Sequence, residues 1–125
     1  MKKSILTDRA PAPIGPYSQA IESGGFLFCS GQIAINPNTG QVLTGPVEEQ
    51  AKQVMENIKA VLTEAGLDFE NIVKTTIYLI NMNDFNTVNE VYGTYFNADP
   101  PARSTIAVSA LPKGVHVEIE VLAKL

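Results

Sequence analysis

Val115-His116-Val117-Glu118-Ile119-Glu120-Val121 alternates apolar and polar side chains at every step. Successive side chains of a strand point to opposite faces, so Val115, Val117, Ile119 and Val121 share one face, and His116, Glu118 and Glu120 the other. The first set needs a layer to cover it. The second puts charges in a strand interior, which holds them only if they are solvated, paired or used on a ligand.

The covering layer is legible upstream. Pro46 stands where a first helical residue should, and Glu48 and Glu49 suit the positive end of a helix dipole. Val47, Ala51, Val54, Met55, Ile58, Val61, Leu62 and Ala65 then recur at helical spacing until Gly66 stops the element. Phe85, Val88, Val91, Tyr92, Tyr95 and Phe96 predict a second helix, capped by Asn83 or Asp84. Residues 19–22 and 26–33 read as strands joined in a hairpin through Ser23-Gly24-Gly25. Asn36-Pro37-Asn38-Thr39-Gly40 is a turn, and residues 73–80 form a further strand.

Residues 104–111 and 115–123 are predicted as the last two strands, paired about Pro112-Lys113-Gly114. The opening Ala10-Pro11-Ala12-Pro13-Ile14-Gly15-Pro16 is too proline-rich for helix or central strand and reads as an extended lead-in. The order ββ-α-β-α-ββ predicts an α+β fold with two helices on one face of a sheet. Phe26 and Phe28 alternate with Leu27 and Cys29, and Ile106 and Val108 flank Ala107, so the strands are apolar on both sides. The uncovered face is therefore expected to be buried against other copies of the chain.

The 125 residues suit one domain, 1–125. A 45% apolar and 18% charged composition is that of an ordinary globular protein. A net charge of −4, with no basic run beyond Lys2-Lys3, argues against nucleic acid as a partner. Cys29 is the only cysteine, so no internal disulfide forms, and it reads as a small core residue of a protein in a reducing compartment. No segment has the length of a membrane span or of a signal peptide's apolar core, so the expectation is a cytoplasmic protein with no membrane partner.

One His and one Cys cannot build a usual zinc site, and the acidic residues are not clustered as in a calcium loop, so no metal is expected. No phosphate-cradling glycine loop or nucleophile elbow is present, and no cofactor is expected either. Arg103 stands at the mouth of an apolar strand in Pro100-Pro101-Ala102-Arg103-Ser104-Thr105. Its fork of donors matches a small carboxylate, while Glu118, deeper in its strand than His116, suits a partly dry site. A hairpin about Pro112-Lys113-Gly114 would put Arg103 opposite residue 122, about four residues or ~13 Å along the sheet from Glu118. A pocket using both is more easily built from two subunits. Tyr17 on the rigid lead-in, Ser30, and Gly31 with its approachable N–H complete the candidate set.

Ile14-Gly15-Pro16-Tyr17-Ser18, Ser30-Gly31-Gln32, Lys74-Thr75-Thr76, Asn83-Asp84-Phe85, Pro101-Ala102-Arg103-Ser104 and Val117-Glu118-Ile119-Glu120 together resemble the RidA/YjgF family of enamine/imine deaminases, over essentially the whole chain. The resemblance implies a chorismate-mutase-like subunit and a homotrimer with its sheets facing inward and pockets at the subunit interfaces. It implies hydrolysis of 2-iminobutanoate and 2-iminopropanoate, products of pyridoxal-phosphate-dependent dehydratases, to 2-oxo acids and ammonia. By the same resemblance, Arg103 would hold the substrate carboxylate and Glu118 would activate water and shuttle protons. Tyr17 would line the pocket near the reacting centre, Ser30 and Gly31 would help fix the carboxylate, and Thr105 would act as a further partner. Many members carry Cys where this chain has Thr105. The same pocket would also serve a non-catalytic regulator that binds a 2-oxo acid or related metabolite.

Overall fold

The computed structural model describes residues 1–125. Three strands open the chain: β1 (Lys3–Ile5), β2 (Ala20–Ser23) and β3 (Phe26–Cys29). Helix α1 (Val47–Glu64), strand β4 (Ile72–Leu79), helix α2 (Phe85–Gly93), and strands β5 (Ala102–Ala107) and β6 (Val117–Lys124) follow. All six strands form one sheet in the order β1-β2-β3-β6-β4-β5. The α+β fold with two helices stands as predicted, with β1 as an added edge strand.

Both helices pack on one face. The α1 stripe of Ala51, Val54, Met55, Ile58, Val61 and Leu62 is buried and meets Val117, Ile119, Val121 and Ala123 of β6. Four side chains alternating into a layer of helix account for the apolar half of the opening motif. Gly66 ends α1 at φ +76, where a β-carbon would be strained, as its position predicts. Pro46 sits one residue earlier than expected, at the cap position rather than inside the helix.

Several boundaries differ from expectation. Strand β3 stops at Cys29; the Ser30 N–H still reaches Gln19 O in the β2 register and its hydroxyl donates to Ser18 O, and beyond it only Gln32 is bridged, to Ile119. Helix α2 ends at Gly93, and Asp84 at its cap makes no side-chain bond. The capping amide is instead Asn81, whose Oδ1 accepts the Asn83 N–H at 2.9 Å and starts a short 3₁₀ turn over Met82–Asp84.

The largest correction concerns β5. It does not pair with β6 in a hairpin; it runs parallel to β4 at the sheet edge, with Arg103 beside Thr75. β4 lies between them and pairs antiparallel with β6, Tyr78 opposite Glu118. The α2 crossover makes this possible, since parallel neighbours need a connection that returns the chain to the same end of the sheet.

Candidate functional site

Directly paired residues of neighbouring strands point to the same face. Thr75 is buried toward α2, its hydroxyl 2.7 Å from that of Tyr92, so its neighbour Arg103 also lies on the helix side. Glu118 and its neighbour Tyr78 lie on the uncovered side. Within one chain, Arg103 and Glu118 are therefore on opposite faces of the sheet. The hairpin reading had put them on the same face.

The Glu118 half is a cleft of about 450 Å³ that brings together Tyr17, Ser30, Gly31 and Glu118, with Ile14, Ile33 and Lys113 on its walls. Glu118 packs directly on Gly31: a β-carbon added there would overlap Oε2 and lie 2.9 Å from Cδ. Any side chain at position 31 would displace the carboxylate, which is the close approach that glycine permits. Glu118 makes no ion pair or side-chain hydrogen bond within the chain. Burial holds its carboxyl above the ordinary carboxylate range, and the Glu120 charge adds to the shift.

Around it the backbone is ordered. Ser30 N–H donates to Gln19 O at 2.9 Å and Gln32 N–H to Ile119 O at 2.8 Å, while the Gly31 N–H between them has no partner in the chain. That donor is free for a ligand. The Ser30 hydroxyl is not, because it donates to Ser18 O at 2.6 Å; its lone pairs alone remain. The Tyr17 hydroxyl accepts the Ile14 N–H at 3.2 Å on the exposed lead-in.

The Arg103 half lies on β5 against α2. One guanidinium nitrogen donates to Asn89 Oδ1, and its carbon stands 5.6 Å from the Phe85 ring centroid and 5.2 Å from that of Tyr92. Phe85, Asn89 and Tyr92 are spaced as one helix face, which presents two π surfaces and an amide to the cation. The other guanidinium donors stay available. Thr105 shares this side, paired with Ile77, and its buried Oγ1 has no hydrogen-bond partner.

Three buried amides position the cleft, and none stood out in the sequence. Gln19 accepts the Thr7 N–H at 2.7 Å and donates to Thr7 O and Pro11 O, each at 2.9 Å, which pins the lead-in. Asn57 donates to Ile33 O and Ile35 O, and Gln50 accepts the His116 N–H at 2.9 Å. Gln50 and Asn57 fall within the apolar stripe of α1, which was the one available sign of an internal role. Asn89, at stripe spacing between Phe85 and Tyr92, carried the same sign.

His116 is exposed but lies in the bend before β6, not in the strand as its place in the alternating motif had suggested. Cys29 is half-buried against the core, and burial pushes its thiol up to about 12. No helix is long and apolar enough to cross a membrane.

Residues 7–125 match the family model described as endoribonuclease L-PSP. The chain is 50% identical over 123 residues to the 2-iminobutanoate/2-iminopropanoate deaminase of Mus musculus, covering 98% of this chain and 91% of the relative. Among solved structures it is similar to YyfA from Yersinia pestis, described as of the conserved Rid protein family, with TM-score 0.98, 52% identity and full coverage of both chains. It is also similar to E. coli TdcF with bound serine, with TM-score 0.94, 44% identity and 98% of each chain covered.

Proposed function

Because this chain belongs to the RidA/YjgF family, we propose that it hydrolyses 2-imino acids, with 2-iminobutanoate and 2-iminopropanoate as substrates. The observation that carries the reading is the unpaired Glu118 carboxyl, lifted by burial and seated on Gly31 in an open cleft. A carboxyl held above its ordinary range by burial is a stronger base than a free one, and can take a proton from water and later return it. The name of the mouse relative and the serine held by TdcF both favour a small amino-acid-like carboxylate as the ligand.

The reaction asks little of the protein, since an iminium carbon is already electrophilic. Arg103 binds the substrate carboxylate through its free donors, and the Gly31 N–H, with Ser30 beside it, fixes the same end. Glu118 takes a proton from water as the oxygen bonds to C2, giving a tetrahedral carbinolamine. Glu118 returns that proton to the nitrogen, the C–N bond breaks as Glu118 takes the remaining hydroxyl proton, and ammonia and the 2-oxo acid leave. Orientation supplies most of the acceleration and general-base help the rest.

Arg103 and Glu118 occupy opposite faces of one sheet, so a complete site draws them from two copies. We place these copies in a homotrimer with the uncovered sheet faces inward, where Phe28 (51% exposed) and Ile106 (45%) lose their contact with water. Thr105 Oγ1 beside Arg103 in one copy, and Tyr17 with the rest of the cleft in the other, complete the pocket. The single domain of residues 1–125 works in the cytoplasm, where imines are released by dehydratases.

The test couples a threonine dehydratase to the protein and follows 2-oxobutanoate release while a nucleophile competes for the imine. Acceleration by wild type and not by Arg103→Ala is expected. Well-folded wild-type protein that binds 2-oxobutanoate without accelerating its release would instead make this a metabolite-binding regulator.

A further inference from the structure

Glu120 follows Glu118 by two residues on β6, so both carboxylates stand on the uncovered face, about 7 Å apart along the strand. In the antiparallel register Tyr78 lies opposite Glu118, and Thr76 opposite Glu120. The Tyr78 hydroxyl nevertheless bypasses its direct neighbour and donates to Glu120 Oε1 at 2.6 Å. Such a diagonal is within reach of an aromatic side chain, and a charge-assisted bond of this length is among the stronger ones. It ties Glu120 down over the sheet, while Glu118 has no tether at all.

Resting on the reading of Glu118 as the proton-transfer group, we propose that Glu120, tethered by Tyr78, is a positioning residue whose fixed negative charge tunes proton exchange at Glu118. A like charge held at constant distance opposes a second one, so Glu118 keeps its proton to higher pH than it would alone. Burial is the larger cause of that displacement and Glu120 the second. The Tyr78 proton is itself retained, first through its bond to Glu120 and then through desolvation.

The other groups around Glu118 do not duplicate this. Tyr17 and Lys113 line the same cleft from the lead-in and from the turn before β6, and His116 is exposed in the bend that precedes the strand. Gly31 contributes only backbone. In the proposed assembly Arg103 of a neighbouring copy faces the cleft, where it is matched to the substrate carboxylate. Glu120 is thus the one fixed anion beside the reacting carboxyl. A base poised this way can both accept the proton of water and hand it on to the leaving nitrogen.

The experiment measures kcat/KM for imine hydrolysis across roughly pH 5 to 8 for wild type, Glu120→Gln and Tyr78→Phe. Carbon-13 carboxyl NMR follows the Glu118 titration in the ligand-free proteins. Relative to wild type, Glu120→Gln should gain on the acid limb of the profile, by up to about threefold to sevenfold, the range for two charges some 7 Å apart at a wet surface. Tyr78→Phe should gain in the same direction and by less, since the charge remains but is released; it also carries the test if Glu120→Gln does not fold. The Glu118 NMR midpoint should move to lower pH in both variants. A uniform fall in activity at every pH, or an unmoved Glu118 midpoint, would overturn the proposal. Absence of imine turnover by wild type would instead overturn the functional reading on which it rests.

Discussion

The two faces of β6 are built from alternate residues of one eight-residue strand, yet they obey different rules. On the covered face Val117, Ile119, Val121 and Ala123 are 0–5% exposed and meet only helix and strand. On the other, Glu118, Glu120 and Leu122 remain partly open, beside Tyr78, Phe28 and Ile106. The covered face is complete within one chain. The uncovered face combines large apolar groups with an unpaired carboxyl, a combination that serves ligand binding and association better than it serves the stability of a lone chain. Stability and chemistry are thus divided by parity along a single strand.

The sharpest way to break this division is to exchange a residue on the chemical side without touching packing. Glu118→Gln should cost about a hundredfold to ten-thousandfold in kcat while the protein stays folded. Retained turnover with a folded variant would remove the carboxyl from the mechanism. Ile119→Ala, one residue along, should do the reverse, costing about 2–5 kcal/mol in denaturant unfolding through the cavity it leaves.

Asn57→Leu sharpens the picture at the edge of the covered layer. It strands the Ile33 and Ile35 carbonyls in the interior and should cost about 1–3 kcal/mol, with looser cleft walls read as faster amide exchange near Ile35. Phe28→Ala, half exposed in the single chain, should cost stability and cause dissociation in sedimentation, because the proposed trimer buries that face. A change in unfolding below about 0.5 kcal/mol with no dissociation would show the face to be bare in solution.

The smallest effect comes from pH. The folded chain raises the Glu118 carboxyl, so its contribution to stability is fully present below the unfolded-state value and is lost as pH rises through the folded one. Glu118→Gln should therefore match wild type in acid and exceed its Tm by on the order of a degree at neutral pH. A variant that is less stable at neutral pH would mean that Glu118 is paired in solution.

Whatever depended on local periodicity was legible in the sequence. The β6 alternation, the α1 stripe and its Gly66 stop, and the α2 apolar positions are short-range patterns that burial imposes directly. The pairing of β5 was not legible. A Pro-Lys-Gly link between two strands reads as a hairpin, and nothing local signals that α2 instead carries β5 to the far side of β4. The face of Arg103 was lost with that register. Glu118, Gly31, Ser30 and Tyr17 were recognisable as candidates and do converge on one cleft. That the Ser30 hydroxyl is committed to Ser18 O, and that Gln19, Gln50 and Asn57 hold the walls, follows from bonds between residues far apart in sequence, which periodicity does not report.

Cys29 has a practical consequence. With its thiol pushed up to about 12, only on the order of one molecule in 10⁵ carries a thiolate at neutral pH. Alkylating reagents and mild oxidants should pass it by, so the protein comes with a chemically silent native sulfur. A single cysteine introduced by Ile106→Cys or Leu122→Cys would then be labelled alone, and its labelling rate would report directly how often the uncovered face meets water.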